Sequence, residues 1–182
     1  MKSRRRFLLS GGSALAALAV LANWRALAAG ATGSASGTGA AGATDSGKAA
    51  AQFEVSHTDA EWHRLLTPAQ YDVLREEGTE RPFTSPLNDE HRNGVFACAG
   101  CKLELFSSRT KFDSHTGWPS FWAPLEHAVA TRADTSFGMD RNEVHCRRCG
   151  GHLGHVFDDG PKPTGLRYCM NGLAMTFTPR SA

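Results

Sequence analysis

Cys98-Ala99-Gly100-Cys101 and Cys146-Arg147-Arg148-Cys149-Gly150-Gly151 are the two stretches that decide the fold. Each holds a CxxC pair. Such a pair sets two sulfurs on one side of a tight turn, and two such turns complete a tetrahedral thiolate cage for one Zn²⁺ ion. Gly100, Gly150 and Gly151 are expected to supply the backbone freedom of the turns. The pairs are 44 residues apart, too far for a local ribbon, so the metal would tie distant hairpins together. Four cysteines close all four positions, which makes the zinc structural. The competing chemistry is two disulfides or a thioredoxin-like redox pair. A redox CxxC opens a helix, and neither pair is followed by a helical pattern.

Around these pairs the chain reads as short β-rich runs separated by turn residues. Expected strands are 94–98, 102–106, 128–134, 143–146, 165–170 and 173–178. No long helical period separates them, so parallel crossover pairing is disfavoured. The fold class is therefore mainly β, two antiparallel sheets or a small barrel, with short helices at the N-terminal edge. One helix is expected over 59–65. A second starts at Thr67-Pro68-Ala69-Gln70, where Thr67 caps, Pro68 takes the first position and Gln70 completes a capping box. Gly78 stands where that helix should stop.

The 182 residues suit one domain with appended sequence, and the net charge of +2 is unevenly spread. Lys2, Arg4, Arg5, Arg6 and Arg25 lie in the first 29 residues, which hold no Asp or Glu. The remainder is weakly acidic and offers no basic face for nucleic acid. Residues 1–29 combine a basic head, an apolar run from Phe7 to Leu21 and a small-residue end at Ala26-Leu27-Ala28, the layout of a signal peptide. The head, Ser3-Arg4-Arg5-Arg6-Phe7-Leu8, resembles a twin-arginine export signal, which implies an exported, periplasmic protein meeting the membrane only transiently. An uncleaved anchor is the alternative. Residues 30–54 are read as a Gly/Ala/Ser linker and 55–182 as the folded domain.

The fifth cysteine lies in Gly165-Leu166-Arg167-Tyr168-Cys169-Met170-Asn171. A lone cysteine in a strand is ordinarily a buried, inert thiol. Strand alternation, however, puts Arg167, Cys169 and Asn171 on one face and Leu166, Tyr168 and Met170 on the other. A guanidinium beside a thiol favours the reactive thiolate. Upstream, His152-Leu153-Gly154-His155-Val156-Phe157-Asp158-Asp159-Gly160 supplies imidazoles that donate protons near neutral pH and carboxylates that can orient them. A second metal site is the other use of two histidines. In Phe112-Asp113-Ser114-His115-Thr116-Gly117-Trp118-Pro119-Ser120-Phe121-Trp122 the aromatics belong to a core or to a pocket for an apolar methyl group.

Taken together and in order, these motifs closely resemble the methionine sulfoxide reductase B family, from about Asp59 to Pro179. The segment Arg81-Pro82-Phe83-Thr84-Ser85-Pro86-Leu87-Asn88 adds to the likeness. The resemblance implies two antiparallel sheets and thiol-dependent reduction of the R epimer of methionine sulfoxide in oxidised proteins. It makes Cys169 the nucleophile on sulfur, with His155, backed by Asp159, protonating the departing oxygen. His152 and Asn171 would complete a polar wall, Arg167 would hold Cys169 as thiolate, and Trp118 with Phe121 would receive the substrate. Cys169 would become a sulfenic acid, which a thioredoxin-like thiol donor reduces. Many members carry a resolving cysteine where this chain has Thr116, so an outside thiol is expected to attack Cys169 directly. Two rival classes remain, a zinc-knuckle binding module without catalysis and another thiol enzyme such as a peroxidase. The first assigns no role to Arg167, Cys169, His152 or His155.

Overall fold

The computed structural model describes residues 53–181. The signal segment and nearly all of the linker lie outside the described residues. Two short helices lead in. Helix α1 (Asp59–Leu65) is capped by Thr58, and its first turn is closed by a reciprocal bond from Glu61. Helix α2 (Pro68–Glu76) carries the expected box: Thr67 accepts from the Gln70 amide and Gln70 accepts from the Thr67 amide. Its buried face is Tyr71, Val73 and Leu74. The left-handed residue that ends α2 is Glu77, at φ 60°, and not Gly78. Gly78 instead donates its N–H to the Asp72 carbonyl, which closes the final turn.

Nine strands follow among the described residues: β1 (Gly94–Cys98), β2 (Glu104–Ser107), β3 (Lys111–Phe112), β4 (Ser120–Phe121), β5 (Val129–Asp134), β6 (Arg141–Cys146), β7 (His152–Phe157), β8 (Arg167–Met170) and β9 (Met175–Pro179). They form a three-stranded sheet, β2-β1-β9, and a six-stranded sheet, β3-β4-β8-β7-β6-β5. Every pairing is antiparallel. The two-sheet expectation holds. The histidine-rich segment 152–157, read only as a chemical cluster, is a central strand, and two-residue strands emerge from the aromatic segment.

Side chains from the two sheets meet in a core of phenyl rings. Phe121 of β4 stacks on Phe106 of β2 with centroids 4.4 Å apart, and meets Phe96 of β1 edge-on at 4.9 Å. All three are fully buried. Tyr168 and Met170 of β8 point into this core, so alternation leaves Cys169 on the opposite face of the strand. Helix α2 packs against β7. Among the described residues no helix is long and apolar enough to cross a membrane.

Each CxxC turn is closed by the same backbone bond. The N–H four residues after the first cysteine returns to that cysteine's carbonyl: Lys102 to Cys98 and Gly150 to Cys146, both at 2.9 Å. The residue making the bond is left-handed in each turn, at φ 63° and 69°. Lys102, not Gly100, therefore takes the conformation in the first turn that Gly150 takes in the second. That is why the second strand starts at Glu104, two residues later than its composition predicts. Phe53 and Glu54 already pack on the second turn, Phe53 edge-on to His145 and Glu54 paired with Arg148.

Candidate active site

Register places the chemistry. Cys169 lies opposite Ser120 of β4 on one side and opposite His155 of β7 on the other. Directly opposed residues in antiparallel strands project from the same face, so a hydroxyl and an imidazole flank one sulfur. The close fit of β7 on β8 depends on Gly154, where a Cβ would stand 2.1 Å from the Cys169 carbonyl oxygen. Thr116 approaches from the loop before β4, its Oγ1 3.9 Å from Cys169 Sγ. Ser114 links Thr116 and Ser120 through hydroxyl contacts of 2.8 and 2.7 Å.

A hollow of about 140 Å³ opens over this sulfur, lined by Cys169, His155, Trp118, Asn171, Phe157, Arg141, Thr79 and Gly154. Drug-sized ligands need roughly 300 Å³ or more; this volume suits a single amino-acid side chain. Trp118 is held by its indole N–H, which donates to the Glu80 carbonyl at 3.1 Å.

Burial is the main influence on the Cys169 thiol and pushes its pKa up. Thr116, the Arg167 charge and Ser120 pull it back without cancelling the rise. Arg167 therefore favours the thiolate but does not by itself keep the sulfur ionised. Burial likewise depresses the pKa of His155, against an opposing hydrogen bond from Asp134.

Several sequence-predicted residues stand elsewhere. Asp159 does not back His155; both its oxygens accept from Arg167, at 2.8 and 2.9 Å. The guanidinium, whose flat fork matches a carboxylate, also lies 4.4 Å from the centre of the Phe157 ring. The carboxylate on His155 is Asp134, whose Oδ2 is 2.8 Å from Nε2. Asp134 also accepts from Arg141 at 2.7 Å. His152 does not line the hollow. It is buried behind His155, its ring edge-on at 5.4 Å, with Nδ1 2.8 Å from Glu143. Phe121 is a core residue without access to the pocket. Asn171 lines the pocket, but its carbonyl oxygen accepts from the Glu80 N–H at 3.0 Å and its amide donates to Leu153 at 3.2 Å. Asp134, Arg141, Glu143 and Glu80 were not singled out from sequence. Hairpin register, which opposes Asp134 to Arg141 and Glu143 to His155, is the signal that finds the first three.

The other four cysteines form one cluster whose sulfurs all lie within 4.8 Å of one another. Cys98 ends β1 in one sheet and Cys146 ends β6 in the other, so the cluster joins the sheets. The Cys98–Cys149 and Cys101–Cys146 sulfur separations are 3.7 and 3.4 Å. A disulfide needs ~2.05 Å, whereas a tetrahedron with ~2.3 Å metal–sulfur bonds has edges of ~3.8 Å. The donor set is close enough to hold a metal ion.

A family profile described as the SelR domain matches residues 66–179. The chain is 54% identical over 127 residues to a protein named peptide methionine sulfoxide reductase MsrB from Agrobacterium fabrum, covering 69% of this chain and 94% of that one. A protein of the same name from Thiobacillus denitrificans is 56% identical over 124 residues, 68% of this chain and 94% of the relative. One from Methanosarcina barkeri is 54% identical over 128 residues, 70% and 90% respectively.

Proposed function

From the premise that this chain belongs to the SelR domain family of MsrB methionine sulfoxide reductases, we propose that Cys169 attacks the sulfur of a methionine (R)-sulfoxide side chain seated in the Trp118 pocket. The chain is an oxidoreductase acting on peptide methionine sulfoxide. What supports Cys169 as its reacting atom is the register that sets that sulfur opposite His155 inside a hollow of side-chain size.

The methyl group packs on Trp118 and the sulfoxide oxygen faces His155. Attack forms a bond between the Cys169 and substrate sulfurs. His155 delivers a proton to the sulfoxide oxygen, and the thiol's own proton is released to the imidazole. The sulfur–oxygen and sulfur–sulfur bonds of this adduct then break as the hydroxyl passes to Cys169 and an electron pair stays on the substrate sulfur, so the thiol and sulfoxide become a sulfenic acid and a thioether. A thiol donor then forms a mixed disulfide with Cys169 and releases water. A second donor thiol regenerates Cys169 and leaves as the donor's disulfide. Thr116 stands beside the sulfur and the other four described cysteines share one cluster, which favours an external, thioredoxin-like dithiol.

The four-cysteine cluster fits zinc by ligand type, number and spacing, with Cys98, Cys101, Cys146 and Cys149 as ligands. It leaves no open position, so its role is to fasten the two sheets. The basic head and apolar run of residues 1–29 support export by the twin-arginine route.

Assaying R and S epimers of a blocked methionine sulfoxide, with a dithiol reductant, tests the reading. Turnover of R alone, lost in Cys169→Ser, is expected. Turnover confined to S, or an active Cys169→Ser variant, would overturn it.

A further inference from the structure

Glu80 is a buried acid, only 7% exposed, that the reaction does not use and that the sequence motifs pass over. Hydrogen bonds run through it in three directions. Its N–H donates to Asn171 Oδ1 at 3.0 Å. Its carbonyl accepts the Trp118 indole N–H at 3.1 Å. Its carboxylate accepts the backbone N–H groups of Gly172 and, at 3.0 Å, Leu173. The two side chains held by its backbone both line the pocket over Cys169, as does the preceding residue, Thr79.

The geometry points to Glu80 as a positioning residue for the substrate pocket: by gripping the turn after Asn171 it fixes the backbone on which Asn171 and Trp118 are both hung. The logic is one of shared anchorage. Among the described residues no hydrogen bond joins Asn171 to Trp118. Each takes its orientation from the peptide groups of residue 80, and those groups have a fixed place because the side chain is tied down by two N–H groups across the chain. The amide of Asn171 can then point only one way, with its oxygen on the Glu80 N–H and its nitrogen on the Leu153 carbonyl. A loosened residue 80 would free the indole and the amide together. Glu80 is not among the groups that act on the Cys169 thiol, which are Thr116, Arg167 and Ser120. Its influence should therefore fall on substrate seating and not on the nucleophile.

The inference rests on the reductase reading. Its test uses the full metal-loaded chain and a blocked methionine (R)-sulfoxide. Glu80→Gln keeps an acceptor for one N–H and strands the other, so KM should rise about tenfold with little change in kcat. Glu80→Ala should do the same to a greater extent. The iodoacetamide alkylation rate of Cys169 should stay at the wild-type value in Glu80→Gln. In a background of Asn171→Ala with Trp118→Phe, adding Glu80→Gln should cost less than about twofold, because the groups it positions are gone. A wild-type KM in Glu80→Gln overturns the proposal. So does a Glu80→Gln penalty that survives undiminished in that background, or faster alkylation, which would mark general loosening. Should Glu80→Ala fail to fold, Glu80→Gln decides alone. A wild-type protein inert toward R sulfoxide would fell the reductase reading and this one with it; an active wild type with an indifferent Glu80→Gln fells only this one.

Discussion

His155 Nε2 and Asp134 Oδ2 are 2.8 Å apart, although β5 and β7 are separated in the sheet by β6. Asp134 sits at the last position of β5 and reaches past its hairpin partner, Arg141, to the imidazole. This contact is the main influence working against burial at His155. Burial lowers the imidazole's pKa; the Asp134 hydrogen bond raises it.

Replacing Asp134 by Asn should therefore leave burial less opposed and lower the His155 pKa further. The proton-donating form of His155 is present below that pKa and lost as pH rises through it. Activity in Asp134→Asn should accordingly begin to fall at a lower pH than in the wild type. At pH 7.5 kcat should drop about tenfold, within the range of general acid–base contributions. A kcat–pH profile unchanged or displaced upward would remove His155 from its role as acid.

Arg167 offers a second test. Burial drives the Cys169 pKa up, and the Arg167 charge is among the groups resisting that rise. Arg167→Gln should move the pKa higher still. Below that pKa the thiolate fraction falls, so iodoacetamide alkylation at pH 8 should slow about threefold or more. Thr116→Val should act in the same direction, because the Thr116 hydrogen bond also lowers the thiol's pKa. Faster alkylation in either variant would contradict the assignment of charges.

The 3.9 Å contact between Thr116 Oγ1 and Cys169 Sγ makes position 116 a place from which a thiol could resolve the sulfenic acid. Thr116→Cys should form an intrachain disulfide with Cys169 after one turnover without reductant, visible by mass spectrometry as the loss of two hydrogens. The wild type under the same conditions should gain one oxygen at Cys169. An intrachain disulfide at Cys169 in the wild type would contradict an external donor.

Phe121 shows where sequence and structure part. Its ring is fully buried between Phe96 and Phe106. Phe121→Ala should cost about 3–5 kcal/mol of stability, read from denaturant unfolding, and leave the KM of the surviving folded protein near the wild-type value.

The alternation in 165–171 was enough to separate Cys169 from the core, because β8 obeys period two with Tyr168 and Met170 inward. The capping box of α2 and the first-strand limits were equally local, and they matched. Long-range pairings were not legible. The choice of Asp134 over Asp159 for His155 depends on β5–β6–β7 register, which joins residues 21 apart in sequence. Asp159 is nearer in sequence to His155, yet it is drawn to the Arg167 fork across the β7–β8 connection. Glu80 escaped notice for a similar reason. Its partners lie 38 residues away at Trp118 and 91 away at Asn171, and nothing in its immediate neighbours marks it. Strand β7 was missed because Gly154 and two histidines weaken its apolar pattern, while the register with β8 requires that glycine.

The four-cysteine cluster yields a test that separates metal from disulfide chemistry. Cys98 and Cys146 terminate strands of different sheets, so whatever joins their sulfurs fastens the domain at one end. Zinc binding to such a cluster is worth on the order of 10 kcal/mol at neutral pH and is coupled to folding. A strong chelator should therefore lower Tm by more than about 10 °C, with about one zinc per chain released, while a non-chelating phosphine reductant alone should leave Tm unchanged. Two disulfides would give the opposite pattern, sensitive to reductant and indifferent to chelator. The half-exposed Cys101 discriminates further, because a closed tetrahedral site needs all four sulfurs. Cys101→Ser should lose the metal and as much stability as the fully buried Cys98→Ser. A Cys101→Ser variant that kept both would leave a three-sulfur site, and the closed structural cage would have to be abandoned.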